Sequence, residues 1–193
     1  MKNEKLKRMT GIALLMALVV VMQAISSIIP PVSGFPISLV LIPIVLGAAI
    51  FGTKAGALLG GTFGAIVFIN CVTGADPGGA MVFQANPILC FLVVMGKGIL
   101  AGAASGWVYG LLKEKNRYVA MLCAAIICPV VNTGVFIICM LMFYIEILRA
   151  WAGGGDVLGY ILSGLLLVNF VPELIINIAF SPASARISKI VKK

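Results

Sequence analysis

Six long apolar stretches, separated by short polar or glycine- and proline-rich connections, make up most of this chain of 193 residues. Each is about as long as a helix that crosses a ~30 Å hydrocarbon layer at ~1.5 Å per residue. Apolar residues run through them continuously instead of alternating with polar ones, which favours helices over barrel strands. The pattern therefore predicts an all-α integral membrane protein with six transmembrane helices in a single membrane domain, residues 1–193. The predicted spans are 9–29, 35–51, 55–73, 87–112, 118–148 and 157–180.

The charged residues lie almost entirely outside the stretches and predict the topology. Twelve of the fourteen basic residues fall in the two termini or in the connections 52–54 and 113–117. Because basic residues collect on the cytoplasmic side, both the N-terminus and the C-terminus are predicted to be cytoplasmic. The net charge of +8 then reflects topology and anionic inner-leaflet lipid rather than nucleic-acid binding. The outer connections 30–34, 74–86 and 146–156 are predicted to be irregular segments near the functional site.

Composition and motifs narrow the function. Charged residues are only 10% of the chain, against about 25% in soluble domains, so lipid must solvate most of the surface. The chain has no histidine, no CxxC pair and no phosphate-binding glycine loop, which argues against an enzyme, a metal site or a bound cofactor. Its five cysteines lie in or beside the spans and are predicted to be packing residues.

Glycines recur at every fourth residue on two of the spans. Such faces let helix backbones approach one another closely in lipid, so the pattern predicts tight packing of these spans within the molecule. The two series are Gly56, Gly60 and Gly64 on the third span, and Gly98, Gly102, Gly106 and Gly110 on the fourth.

Two charged residues, Lys97 and Glu173, lie deep inside the predicted spans. A charge at such depth costs several kcal/mol unless it is paired or hydrated, so each indicates a functional site. Lys97 is suited to meet the carboxylate of an anionic substrate, and alternatively it forms a structural ion pair with Glu173. Both interpretations stay open, because a substrate carboxylate can share the ammonium with Glu173.

Amide side chains accompany these charges. Asn169 and Asn177 lie four residues before and after Glu173 and therefore share its helical face. Pro172 cannot donate to the preceding turn, which frees a backbone carbonyl beside them. Asn132 likewise follows a proline, in the fifth span. The amides predict a polar cavity between the spans, and the alternative is that they only join neighbouring helices by hydrogen bonds.

Taken together, these features resemble the substrate-capture subunits, or S components, of energy-coupling factor vitamin transporters. The resemblance covers nearly the whole chain and includes its size, its six spans, its basic N-terminus and the small-residue face Ala13-x-x-x-Ala17. The segments that look most like the pantothenate-type branch are 37–52, 56–64, Asn86-Pro87, Lys97-Gly98 and Val131-Asn132-Thr133-Gly134.

The resemblance implies a non-enzymatic subunit of the bacterial plasma membrane that captures a vitamin near the outer face and topples to carry it inward. It implies a transmembrane coupling subunit and two cytoplasmic ATPases as partners, so that ATP is used by the partners and not by this chain. Ala13 and Ala17 match the face on which the coupling subunit docks. By matching position, the candidate substrate-binding residues are Asn86, Lys97, Asn132, Asn169, Gln84 and Tyr144.

The chemistry of the vitamin leaves several identities open. Pantothenate has one carboxylate, two hydroxyls and an amide, which a single cation among asparagines would match. Biotin, folate or a pyrimidine precursor are alternatives, whereas riboflavin and thiamine would require more aromatic stacking than the 8% aromatic content readily provides. Two other functions also stay open, namely a membrane assembly protein and a standalone channel or secondary carrier.

Overall fold

The structure, a computed structural model, describes residues 2–28 and 39–191. These residues form helices and no strand. Five of the helices are long and apolar enough to cross a membrane, which confirms the predicted helical membrane protein. The start of the predicted second span, 35–38, lies outside the described residues, as do Ile29, the connection 30–34 and the last two lysines.

We number the helices α1 to α8 in chain order. The first seven are α1 (Lys2–Ile28), α2 (Leu41–Phe51), α3 (Thr53–Thr73), α4 (Pro77–Ala85), α5 (Pro87–Leu112), α6 (Arg117–Phe143) and α7 (Ile145–Trp151). The last, α8, runs without interruption through an α-helical turn, a π-helical stretch and a long α-helix, which are Val157–Tyr160, Ile161–Phe170 and Val171–Val191. The described part of the second predicted span, α2, has 11 residues and is therefore shorter than the ~20 that cross a bilayer.

Two short helices occupy connections that were predicted to be irregular. The first, α4, starts at Asp76, whose side chain accepts a hydrogen bond from the N–H of Gly79 at 3.1 Å, and Pro77 follows as its first residue. Both features favour a helix start. The second, α7, follows Tyr144, where the backbone leaves the helical conformation, so α6 ends at Phe143 and not near residue 148.

The glycine series bring α3 and α5 into backbone contact. A Cβ atom added to Gly60 would overlap the carbonyl of Gly98, and Gly56 faces Gly102 in the same way. The predicted close packing is confirmed, because no larger residue fits at these positions without moving a backbone. Gly110, at the end of its series, has open space around it and takes no part in the contact.

A polar face of α8 is buried in the bundle. The side-chain amide of Asn177 donates to the backbone carbonyl of Glu173 at 2.9 Å, so one of its N–H groups is satisfied within its own helix. Further along, the hydroxyls of Tyr109 and Ser188 lie 3.2 Å apart and join α5 to α8. The buried polar residues of this face are Glu173, Asn177, Ser181, Ser184 and Ser188.

The two ends of the bundle differ in character. We call the end where α3 finishes and α5 begins the Asp76 end, after the residue that caps α4 there. At the opposite end, the guanidinium of Arg8 donates to the carbonyl of Phe51 at 3.0 Å and connects α1 to α2. Lys54 and Lys113 lie at that same opposite end, because α3 starts and α5 finishes there.

Candidate ligand-binding site

A cavity lies among the helices near the Asp76 end. It is lined by side chains from α1, α3, α5, α6 and α8, and by the residue that precedes α4. The convergence of so many elements on one space makes it the strongest candidate for a ligand site.

Lys97 is the single cation of the cavity lining among the residues that the structure describes. Its ammonium lies 4.8 Å from the ring centroid of Phe136 and 5.8 Å from that of Phe63, so two aromatic faces contribute to holding the charge. Glu173 lines the same cavity as Lys97, and a direct ion pair between the two stays a prediction.

Asn132 presents a hydrogen-bond acceptor that no described residue satisfies. The side chain is 5% exposed, and its Oδ1 atom is buried without a hydrogen-bond partner in the described part of the chain. A buried polar atom left in this state costs about 1–3 kcal/mol. A ligand that donates an N–H or O–H to Asn132 would remove this cost, so the site suits a ligand with hydroxyl or amide donors.

Asp76 brings a second carboxylate to the cavity wall. It is 8% exposed, and one of its oxygens is held by the N–H of Gly79 at the start of α4. Burial raises the pKa of the Asp76 carboxyl above its ordinary value, while the N–H of Gly79 and the charge of Lys97 act in the opposite direction. The cavity therefore contains groups of both charge signs.

A smaller cavity adjoins the first, and Val67, Asp76, Lys97 and Phe136 line both. The remaining walls of the smaller cavity are mostly apolar. They consist of Cys71, Gly79, Val82, Cys90, Val93 and Val94. A ligand bound at Lys97 could therefore place a branched apolar group in this second space. Within the described residues, no three metal-binding side chains come together.

Three of the six predicted substrate-binding residues line the larger cavity, namely Lys97, Asn132 and Asn169. They come from three different helices, α5, α6 and α8. Asn169 lies in the π-helical stretch of α8, one turn before Glu173, and both side chains reach the cavity. Asn177, predicted to share their face, is not part of the lining and is bonded to its own helix.

The other three predicted residues lie nearer the Asp76 end and outside the lining. Asn86 caps α5, and its Oδ1 accepts a hydrogen bond from the N–H of Leu89 at 3.0 Å. The hydroxyl of Tyr144 donates to the carbonyl of Asn86 at 3.1 Å, and Gln84 is exposed on α4. A direct contact of these residues with a ligand stays a prediction. The same holds for the docking role of Ala13 and Ala17, which lie exposed on α1.

Sequence reasoning missed Gln23, Phe136 and the inward position of Asp76 in this site. Gln23 is the polar side chain deepest in the first predicted span, and its position among apolar residues was a signal in the sequence that indicated a buried polar site. In the structure it is 3% exposed. Phe136 lies one turn after Asn132 and shares its helical face. Asp76 gave no comparable signal, since it lies in a connection whose path the sequence does not specify.

The structure thus defines a multi-span helical membrane protein with a cavity of mixed polarity among its helices. The family model described as the ECF transporter, substrate-specific component, matches residues 7–184 of the chain. The protein therefore belongs to the family of substrate-specific components of ECF transporters, which is a transporter family and not an enzyme family. With its long apolar helices, it is a multi-pass protein of the cell membrane.

A characterised relative adds detail. The chain is 26% identical over 194 aligned positions to the pantothenic acid transporter PanT of Lactococcus lactis subsp. cremoris (strain MG1363). The alignment covers 95% of this chain and 94% of the relative, so the two proteins are similar along their whole length.

Proposed function

We propose that this protein is the pantothenate-capturing subunit of an ATP-driven vitamin uptake system. The observation that carries the proposal is the Lys97 ammonium, which faces the cavity and lies near the rings of Phe63 and Phe136. A carboxylate is the ligand group that such a cation binds best. The similarity to a pantothenic acid transporter over nearly the full chain supports the same vitamin.

The remaining groups of pantothenate fit the rest of the site. The carboxylate binds Lys97, and the hydroxyls or the amide N–H donate to the unsatisfied oxygen of Asn132. The geminal methyl groups enter the adjoining apolar cavity, and Asn169 supplies a further amide to the polar end of the ligand. Biotin, which has a carboxylate but no hydroxyl, would leave part of this hydrogen-bonding capacity unused.

In the proposed arrangement the chain crosses the membrane six times, with both termini in the cytoplasm. The positive-inside rule supports this orientation, because Arg8, Lys54 and Lys113 share one end of the bundle. The Asp76 end then faces outward and receives the vitamin. A transmembrane coupling subunit docks on Ala13 and Ala17 of α1, and two ATPases bound to that subunit supply the energy.

Isothermal titration calorimetry of the detergent-purified protein tests the proposal. We expect binding of pantothenate, weaker binding of biotin, and much weaker binding of pantothenol, in which an alcohol replaces the carboxylate. A ligand at a hundred times its dissociation constant should also stabilise the protein by about 2.7 kcal/mol. Tighter binding of another vitamin would reassign the substrate. No binding to any vitamin would favour a membrane assembly protein instead.

A further inference from the structure

The ring of Phe136 lies where the two cavities meet. It comes from α6, one turn after Asn132, and it lines both the larger and the smaller cavity. Lys97, from α5, also lines both, and its ammonium is 4.8 Å from the centroid of the Phe136 ring. A cation within ~6 Å of an aromatic centroid is attracted by the negative face of the ring. Phe136 and Lys97 therefore form an electrostatic contact between α5 and α6 at the junction of the cavities.

The second ring near the ammonium, that of Phe63, has a different setting. Its centroid is 5.8 Å from the Lys97 ammonium, and the residue is 1% exposed. A Cβ added to Gly98 would lie 3.4 Å from this ring, so Phe63 is enclosed by the packing of α3 against α5. Phe136 is only partly buried and lies closer to the ammonium. Phe136 is therefore the ring whose effect on the charge can be separated from core packing.

The lysine needs such a partner if it is to stay directed at a ligand. Its ammonium sits on a flexible four-carbon stem and can take many positions. The cavity lining also contains the carboxylates of Asp76 and Glu173, both of which attract a cation. A phenyl ring attracts the ammonium through its quadrupole, and N–H groups directed away from the ring remain able to donate to a carboxylate. The Phe136 ring thus holds the charge at the junction without neutralising it.

We infer that Phe136 is a positioning residue for the ligand carboxylate, and that it acts through the Lys97 ammonium. This inference rests on the proposed function. Without the attraction of the ring, the ammonium turns toward Glu173 or Asp76, and a carboxylate ligand must displace that partner before it can bind. A ligand without a charge gains less from the ammonium and so depends less on where it lies. Phe136 therefore contributes to the preference for a carboxylate over its neutral analogue.

Fluorination of the Phe136 ring tests this role without removing the side chain. Each fluorine draws electron density from the ring face and weakens its attraction for a cation, while the ring keeps nearly the same shape. We expect progressively fluorinated phenylalanines at this position to weaken pantothenate binding stepwise in calorimetry, by about 2- to 30-fold in total. Pantothenol, which has no carboxylate, should lose much less affinity. The simpler variant Phe136→Leu should give the full loss for pantothenate.

Phe68 on α3 provides a matched control. Its ring contacts the rings of Phe83 and Phe91, with centroids 5.7 and 5.2 Å away, and it lies outside the lining of both cavities. The same fluorinated series at Phe68 should leave the preference for pantothenate over pantothenol unchanged. Equal losses for the two ligands along the Phe136 series, or a pantothenate affinity that does not respond to fluorination, would overturn the inference.

Thermal unfolding of the ligand-free protein gives a readout that does not depend on the vitamin. Fluorination at Phe136 should lower the melting temperature when Lys97 is present and have little effect in the Lys97→Met background. Equal shifts in both backgrounds would mean that the ring only fills space, and would overturn the inference alone. No pantothenate binding by the wild type would remove the proposed function, and with it the role of Phe136 in positioning a ligand carboxylate.

Discussion

Replacing Lys97 with methionine removes the charge while keeping most of the length of the side chain. In the proposed site the ammonium pairs with the pantothenate carboxylate inside the cavity between the helices. Truncating one partner of a buried charge pair costs about 2–5 kcal/mol. At ~1.4 kcal/mol per tenfold change, pantothenate affinity should fall roughly 30-fold to several thousandfold. Pantothenol loses only a hydrogen bond from a charged donor to a neutral hydroxyl, about 1.5–3 kcal/mol, so its affinity should fall roughly 10- to 150-fold and less than that of pantothenate.

The assay is calorimetry of both ligands with the wild type and the variant. Because Lys97→Met leaves Glu173 in a cavity lining without a described cation, the double variant Lys97→Met/Glu173→Gln serves as the control. We expect the double variant to recover thermal stability but not the preference for pantothenate over pantothenol. Equal affinity losses for the two ligands in the single variant would refute the reasoning. So would a full return of the preference in the double variant, since Lys97 would then be only the structural partner of Glu173.

Three further substitutions probe other parts of the argument. Asn132→Leu removes the unsatisfied oxygen, and should preserve or raise the melting temperature while weakening pantothenate binding by about 1–3 kcal/mol; unchanged affinity would contradict the proposed contact. Gly98→Ala should destabilise the protein by about 1–3 kcal/mol in thermal unfolding, whereas Gly110→Ala, in open space, should not; equal effects would remove the packing argument. Ala13→Trp should leave binding intact and abolish uptake by the complete transporter. The control Leu167→Trp, at an exposed position of α8, should leave both binding and uptake intact; uptake that survives Ala13→Trp would exclude docking there.

Hydropathy predicted the long helices well, because a bilayer forces every span to satisfy its own backbone and to expose apolar side chains. The same criterion could not find α4 and α7, which are too short to span. The start of α4 is marked only by the cap at Asp76, and α7 follows a break in the helical backbone at Tyr144. Hydropathy also did not predict the π-helical stretch of α8. That stretch ends just before Pro172, where the helix lacks one backbone donor, but the apolar pattern on either side is the same.

The candidate site was predictable where a polar residue stands out against lipid. A polar side chain in a span is energetically costly and therefore indicates a function, which is how the sequence identified Lys97, Asn132 and Asn169. Phe136 and Asp76 were missed, since an aromatic residue is ordinary in a membrane helix and a loop carboxylate is ordinary outside one. Their importance arises only from which helices are neighbours, and one sequence does not encode that directly.

The packing glycines and the binding lysine form one structural unit. Gly98 follows Lys97 on α5, and a Cβ added there would overlap the carbonyl of Gly60 and lie 3.4 Å from the ring of Phe63. The close approach of the two backbones therefore sets how near the Phe63 ring comes to the Lys97 ammonium, 5.8 Å away. Because packing positions this wall of the cavity, the amide oxygen of Asn132 on the facing helix is not needed to hold the lysine and stays available to a ligand.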